Sequence, residues 1–399
     1  MVFKKITTDK ASYKILDLGM HPYADTFIKK NNLDKNEPIY PLQCFLNIRT
    51  GFIFNKVITS AYDRYNFSDY SYTSANSKYS RSYWKDFFKI IKKSILKDGD
   101  KILEIGSNDG YLCEQFKNEG YKVYGIDASK KMSILAKKKK IRTFNFIFNK
   151  KKSFILKKKV GKFNIIIANN VLNHSNEPFD FVQGIENILQ KNGYFVFEVP
   201  YWLFLVKNKK FDQIYHEHIN HFTIKSIIFL IRGTTLSITN IDISSYHGGS
   251  LRIICQKNKK NNRFIIKKFL REEYKYKLFN LSTYKKIQKQ LKVRKLRFLK
   301  KIVQLKLNNQ IIFGIGAAAK ANTLINYLKL DKDLVDGITD ISPLKINKYT
   351  PLSRIPIYDD NYLKKFKKNI YVLILSWNIS NLLISKIKKI NKKIKFIKF

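Results

Sequence analysis

The sequence predicts an α/β protein with a small β-rich lobe at the N-terminus and two Rossmann-like α/β units after it. Three observations carry this. Lys101 to Gly110, KILEIGSNDG, is a short apolar run that ends in a glycine loop and runs into a helical pattern. Gln310 to Leu328, QIIFGIGAAAKANTLINYL, repeats strand, glycine turn and helix. Residues 1 to about 60 instead hold short aromatic, strand-like runs broken by turn signals such as Thr50-Gly51. The expected divisions are 1–75, 76–257, a basic helical connection over 258–309, and 310–399.

In order along the chain, ASYKILDLGMHPYADTF and YPLQCFLNIRTGFIF supply the strands of the first lobe. Residues 62–83 are dense in Tyr and Ser without a regular period, as in a loop docked on a site. WKDFFKIIKKSIL, from Trp84, has helical apolar spacing. After the first glycine loop come the helix YLCEQFKNEG and the strand YKVYGIDAS, which ends in Asp127. An acid there, about 20 residues after the loop begins, suits ribose hydroxyls. NIIIANNVLNH, a helix through FVQGIENILQ, and the strand GYFVFEVP extend a parallel sheet. IKSIIFLIRG reads as a helix, and SITNIDISSYHGGSLRIICQ as two strands joined at a Gly-Gly turn. Residues 258–310 carry apolar residues at helical spacing with a solvated Lys-rich face. In the last unit, GITDIS closes a strand at Asp340 and NIYVLILSWN is another.

Composition excludes several classes. Hydrophobic residues at 44% are enough for substantial cores. The N-terminus, MVFKKITTDK, lacks the apolar stretch of a secretory signal, and no apolar run is long enough to span a membrane. Three scattered cysteines give no disulfide framework. A cytoplasmic protein is expected. The net charge of +47 points first to nucleic acid. Only 11 of the 77 basic residues are Arg, however, and Lys is enriched together with Asn, Ile, Phe and Tyr, which share A/T-rich codons. Base composition explains that pattern better than nucleic-acid readout, which leans on Arg. No nucleic-acid or membrane partner is expected.

Chemistry concentrates in FDQIYHEHINHF, Phe211 to Phe222. It holds three of the six histidines, His216, His218 and His221, with Asp212, Tyr215 and Glu217 among apolar residues. Such packing moves pKa values toward neutrality and suits proton transfer. A metal site is the competing reading, although the spacing is not the helical H-E-x-x-H pattern.

Glu104-Ile105-Gly106-Ser107-Asn108-Asp109-Gly110 resembles the first motif of class I S-adenosylmethionine-dependent methyltransferases. LEIGSNDG, ANNVLNH, FDQIYHEH, HGGSLR, GIGAAAK and LSWN, in that order, resemble the C-methyltransferases of deoxysugar biosynthesis, as do DLGMHP and YPLQC near the start. The resemblance covers essentially the whole chain. It implies methylation at C-3 of a nucleotide-linked 4-ketohexose through an enolate. It implies His218 as base, with Tyr215, Glu217 and His174 around it. A tyrosine of the Tyr-rich loop, Tyr70 or Tyr72, would join them, and Tyr72 is the choice. S-adenosylmethionine would be bound by Glu104, Gly106, Ser107, Asn108, Gly110, Asp127, Asn169 and Asn170. Another methyl acceptor, or a non-catalytic relative that binds nucleotide sugar, are the alternatives. One departure stands out. The family's four-cysteine zinc site is missing, since Cys44 has no C-x-x-C partner and Asn47 stands in its place. No zinc is expected, and the lobe must fold on aromatic packing.

Overall fold

The computed structural model describes residues 2–57, 59–60, 73–75, 77–211 and 213–399. The expected Tyr70 and Tyr72, and Asp212, lie outside the described residues.

A short helix, α1 (Val2–Thr8), leads into β1 (Ser12–His21), β2 (Ile28–Lys29), β3 (Tyr40–Asn47) and β4 (Ile53–Asn55). β1, β3 and β4 form an antiparallel meander. Phe3 packs edge-on against Phe52 and Phe54, and Phe45 stacks on Phe54 at 6.0 Å. Cys44 is fully buried here, and its thiol donates to Asn55 Oδ1 at 3.2 Å. Asn47 closes the β3–β4 turn: its amide donates to Asp9 and Ser12, and its oxygen accepts from Thr50.

α2 (Lys78–Ser94) opens the central unit and is N-capped by Ser77. The unit continues through β5 (Lys101–Ile105), α3 (Tyr111–Asn118), β6 (Lys122–Asp127), α4 (Lys130–Lys138), β7 (Arg142–Asn145), α5 (Lys150–Val160), β8 (Phe163–Asn169), α6 (Pro178–Ile188) and β9 (Leu189–Pro200). After α7 (Trp202–Asn208), β10 (Asn220–His221) and α8 (Ile224–Ile231) come β11 (Leu236–Ser244) and β12 (Ser250–Lys257). The seven-stranded sheet runs β11-β12-β9-β8-β5-β6-β7, and β12 alone is antiparallel. β8 shows why its interior strands read as unbroken apolar runs: Ile165, Ile166, Ile167 and Ala168 are all buried, being covered on both faces. The histidine stretch does not extend this sheet. β10 pairs with β4, so the N-terminal sheet reads β1-β3-β4-β10.

Two helices follow, α9 (Arg263–Lys275) and the 27-residue α10 (Leu281–Leu307). α10 buries Tyr284, Ile287, Leu291, Phe298 and Ile302 at helical spacing, and Gln288 donates to Ile15 O on β1. The last unit holds β13 (Ile312–Ile315), α11 (Ala319–Leu328), β14 (Gly337–Asp340), β15 (Lys348–Tyr349), β16 (Ile357–Asp359), β17 (Ile370–Ile374), α12 (Ser380–Ile390) and β18 (Ile394–Ile397). Five of its six strands form a parallel sheet in the order β16-β14-β13-β17-β18. β15 pairs with β2, and Asn322 on α11 donates to Ala24 O, so this unit is tied to the N-terminal lobe. No helix among the described residues is long and apolar enough to cross a membrane.

Candidate active site

A cavity of about 450 Å³ opens where the three sheets meet. Glu104, Gly106, Asn108 and Asp127 line one wall, and Asn169, Asn170 and His174 the next. Tyr215, Glu217 and His218 come from the histidine stretch, Asp25 from the loop after β1, and Ala318, Ala319, Lys320 and Lys345 from the last unit.

The glycine loop turns sharply because Gly106 and Gly110 adopt φ of +73° and +76° and Asn108 a φ of 52°. A Cβ at Gly106 would stand 2.4 Å from Val171 Cγ2, so only glycine lets the loop approach this turn. Asp127 closes β6, and its two oxygens accept from Asn108 N and Ser129 N, each at 2.8 Å. Burial pushes the Asp127 carboxyl up to about 6. Glu104 is pushed further, to about 8, by burial, although the Cys113 thiol donates to it at 3.0 Å. Ser107 and Gly110 do not line the cavity. Ser107 is buried with its side chain against Gly125 of β6, and Gly110 N-caps α3 against Ala136.

The three histidines of the stretch separate. His216 lies among Tyr23 and Tyr40 with Nε2 at 3.2 Å from Tyr40 O, and burial holds it down at about 4. His221 packs against Trp202 with Nε2 3.2 Å from Asn55 Oδ1, and burial holds it at about 3. The expected shift toward neutrality is therefore wrong for both: desolvation, with no carboxylate partner among the described residues, keeps them neutral. No group of three or more metal-binding side chains converges among the described residues, so the competing metal reading of the stretch has no geometry there.

His218 is different. Its Nδ1 faces Gln213 O at 2.9 Å, and a carbonyl only accepts, so Nδ1 carries the proton. Nε2 then presents its lone pair and receives the Tyr215 hydroxyl at 2.6 Å. The His174 ring meets His218 edge-on at 4.8 Å. Two asparagines hold this arrangement. Asn55 donates to Tyr215 O and His218 O, both at 2.9 Å, and Asn220 donates to Leu172 O and Ser175 O on either side of His174. Glu217 Oε1 accepts from Asp25 N at 3.1 Å. Sequence reasoning missed Asn55, Asp25 and the two lysines. Lys320 stood in view, at the end of the GIGAAAK motif; Asn55 carried no signal, since its partners lie about 160 residues away.

Two family patterns match the chain in succession. The methyltransferase domain matches residues 77–245, and the C-methyltransferase C-terminal domain matches residues 245–398. The protein is a class I S-adenosylmethionine-dependent methyltransferase. This methyltransferase is loosely related to C-methyltransferase NovU of Streptomyces niveus, at 23% identity over 373 residues, 91% of this chain and 87% of that protein. It is 32% identical over 120 residues to a ubiquinone biosynthesis O-methyltransferase of Pelagibacter ubique (strain HTCC1062), covering 26% of this chain and 48% of that one. Among solved structures, the PH0226 protein from Pyrococcus horikoshii OT3 aligns with a TM-score of 0.38 at 15% identity, over 50% of this chain and 99% of the other.

The cavity fits the cofactor. Gly106 brings bare backbone to its wall, and Asp127 offers a carboxylate at the strand end. Asn169 lines the same wall, and neither atom of its buried amide has a hydrogen-bond partner among the described residues. Such groups fit an adenosine ribose and an amino-acid chain.

Proposed function

We propose that this methyltransferase transfers a methyl group to carbon, at C-3 of a nucleotide-linked 4-keto-deoxyhexose, with His218 as the base. The observation that supports this most is the fixed tautomer of His218, whose Nε2 lone pair meets the Tyr215 hydroxyl in the wall of the cofactor cavity. Methylation of oxygen needs no C–H deprotonation. A C–H beside a ketone does need a base, and a neutral imidazole suits it near pH 7. His218 Nε2 takes the proton, and the C–H electron pair becomes an enolate. The Tyr215 hydroxyl, released from Nε2, is placed to donate to the enolate oxygen. His174 and Glu217 hold the loop and wall around them, and Tyr72 is assigned to the same site. S-adenosylmethionine, held over the glycine loop by Glu104, Gly106, Asn108, Asp127, Asn169 and Asn170, supplies an electrophilic methyl group.

Charge around the cavity supports an anionic acceptor. The carboxyl groups of Asp25, Glu104, Asp127, Glu177, Asp180 and Glu217 line the cavity, a setting suited to the sulfonium cofactor. The last unit adds Lys320 and Lys345, cations suited to a diphosphate. The division at 75, 257 and 309 belongs to this reading, with the last unit as substrate-binding domain. So does folding of the first lobe without zinc: metal analysis of protein purified without chelator should find well under one equivalent.

The test is mass spectrometry of dTDP-, GDP- and CDP-linked 4-ketosugars after incubation with enzyme and cofactor. A gain of one CH₂ that survives mild hydrolysis is expected. His218→Asn should lower turnover by about 10²–10⁴-fold with cofactor affinity retained. With S-adenosylhomocysteine bound, the wild type should exchange the C-3 proton with deuterated water and the variant should not. A transferred methyl group found by NMR on oxygen, as a methyl ether, would favour an oxygen acceptor, the second reading, which the partial similarity to an O-methyltransferase supports.

A further inference from the structure

Trp84 lies on α2, is 6% exposed, and borders the cavity. Its indole N–H has no acceptor among the described residues. A buried indole N–H normally finds a partner, and leaving one unmade is costly. The chain meets that need elsewhere: the Trp202 indole donates to the Tyr284 hydroxyl at 2.9 Å. The Trp377 indole is also unpartnered, but Trp377 does not line the cavity.

The ring is held in place. Tyr83 and Tyr246 each meet it at 5.1 Å and Phe87 at 6.0 Å. Tyr83 stacks on Tyr246 at 4.2 Å, and its hydroxyl reaches the buried Glu198 carboxylate at 2.6 Å. Glu198 is paired with Arg252 at 2.7 Å, and its backbone oxygen accepts from Asn170 N. One buried ion pair thus steadies both the Trp84 cage and the Asn169–Asn170 turn. A rigid donor without an acceptor among the described residues, in the cavity that the glycine loop also lines, calls for a ligand atom that accepts. The acceptor-rich part of the cofactor at that end is its α-carboxylate.

We propose that the Trp84 indole N–H binds the carboxylate at the amino-acid end of S-adenosylmethionine. The proposal rests on the cofactor lying over the glycine loop, and two ligands separate the claims. S-adenosylhomocysteine carries the carboxylate; 5′-methylthioadenosine lacks the amino-acid end. By calorimetry, Trp84→Phe should weaken S-adenosylhomocysteine roughly tenfold, as for a lost bond to a charged group, and leave methylthioadenosine unchanged. An equal loss for both ligands, or no loss, overturns the proposal. Asp127→Asn should weaken both ligands; if it weakens neither, the cofactor placement itself falls. The wild type gives a second reading that needs no variant. Protein labelled with ¹⁵N-tryptophan carries three indoles. One indole N–H resonance should move on adding S-adenosylhomocysteine and stay put with methylthioadenosine. If no indole resonance distinguishes the two ligands, Trp84 is not the donor.

Discussion

At position 55 a single buried amide closes four polar contacts. It donates to Tyr215 O and His218 O, accepts from the Cys44 thiol, and meets His221 Nε2. It therefore clamps the turn that presents His218 without touching the cavity itself. Asn55→Ala should free that turn, because two carbonyls lose their donor. We expect turnover to fall at least tenfold, about 1.4 kcal/mol, while S-adenosylhomocysteine affinity stays within twofold. Steady-state kinetics and calorimetry read the two quantities separately, and a parallel loss of both would mean general unfolding. Residue types in the sequence pointed to the histidine stretch but could not rank its members. His216 and His221 are fixed by distant chain segments, Tyr40 O and Asn55, whereas His218 takes Gln213 O from its own turn. The reverse case is Asp127, whose position after a strand was legible because strand, loop and acid are contiguous. Its carboxylate also anchors Asn108 N and Ser129 N, so Asp127→Asn, which keeps an acceptor, is a cleaner probe of ligand binding than alanine.

Among the elements, those with long apolar periods were the legible ones. α10 and the buried strands β5, β8 and β17 follow from spacing alone, and α2 does from Trp84 onward, its first residues from Lys78 lying in the stretch read as loop. β10 was not, because two residues carry no period; its pairing with β4 is set by tertiary contact. The basic connection also does more than its composition announced. Glu273 on α9 is fully buried and its carboxylate accepts from Ile224 N and Lys225 N, the unsatisfied first turn of α8, and from the Tyr201 hydroxyl at 3.0 Å. It thereby fastens the helical layer to the segment that follows the histidine stretch. Glu273→Ala should leave three donors without an acceptor and cost about 1–3 kcal/mol. Urea unfolding would measure it, and a change below about 0.5 kcal/mol would show that water replaces the carboxylate.

For the whole molecule, a chain of net charge +47 encloses a cavity ringed by carboxylates, a contrast that composition could not reveal. Buried titratable groups also oppose one another in their effect on stability. His21, His216 and His221 are held down at about 4, about 4 and about 3 by burial. Below pH 6.5 the unfolded chain protonates all three and the folded one does not, so they favour folding as pH rises to 6.5. Glu104, Glu273 and Asp127 are held up at about 8, about 7 and about 6, again by burial. Folding stability from these carboxyls is full below pH 4, and is lost as pH rises, because the unfolded chain ionises first. The two sets oppose one another between pH 4.5 and 6. Above 6.5 the histidines drop out and Glu104 and Glu273 remain. The ligand-free protein should therefore lose stability, on the order of 2–3 kcal/mol, between pH 6.5 and 8. Thermal melts across that range test it, and a melting temperature that rises from pH 6.5 to 8 would contradict the assignment. Cofactor cation beside Glu104 and Asp127 would lower both carboxyls. Saturating S-adenosylmethionine should then raise the melting temperature more at pH 8 than at pH 6.5, and binding should release a proton, seen as a buffer-dependent heat in calorimetry.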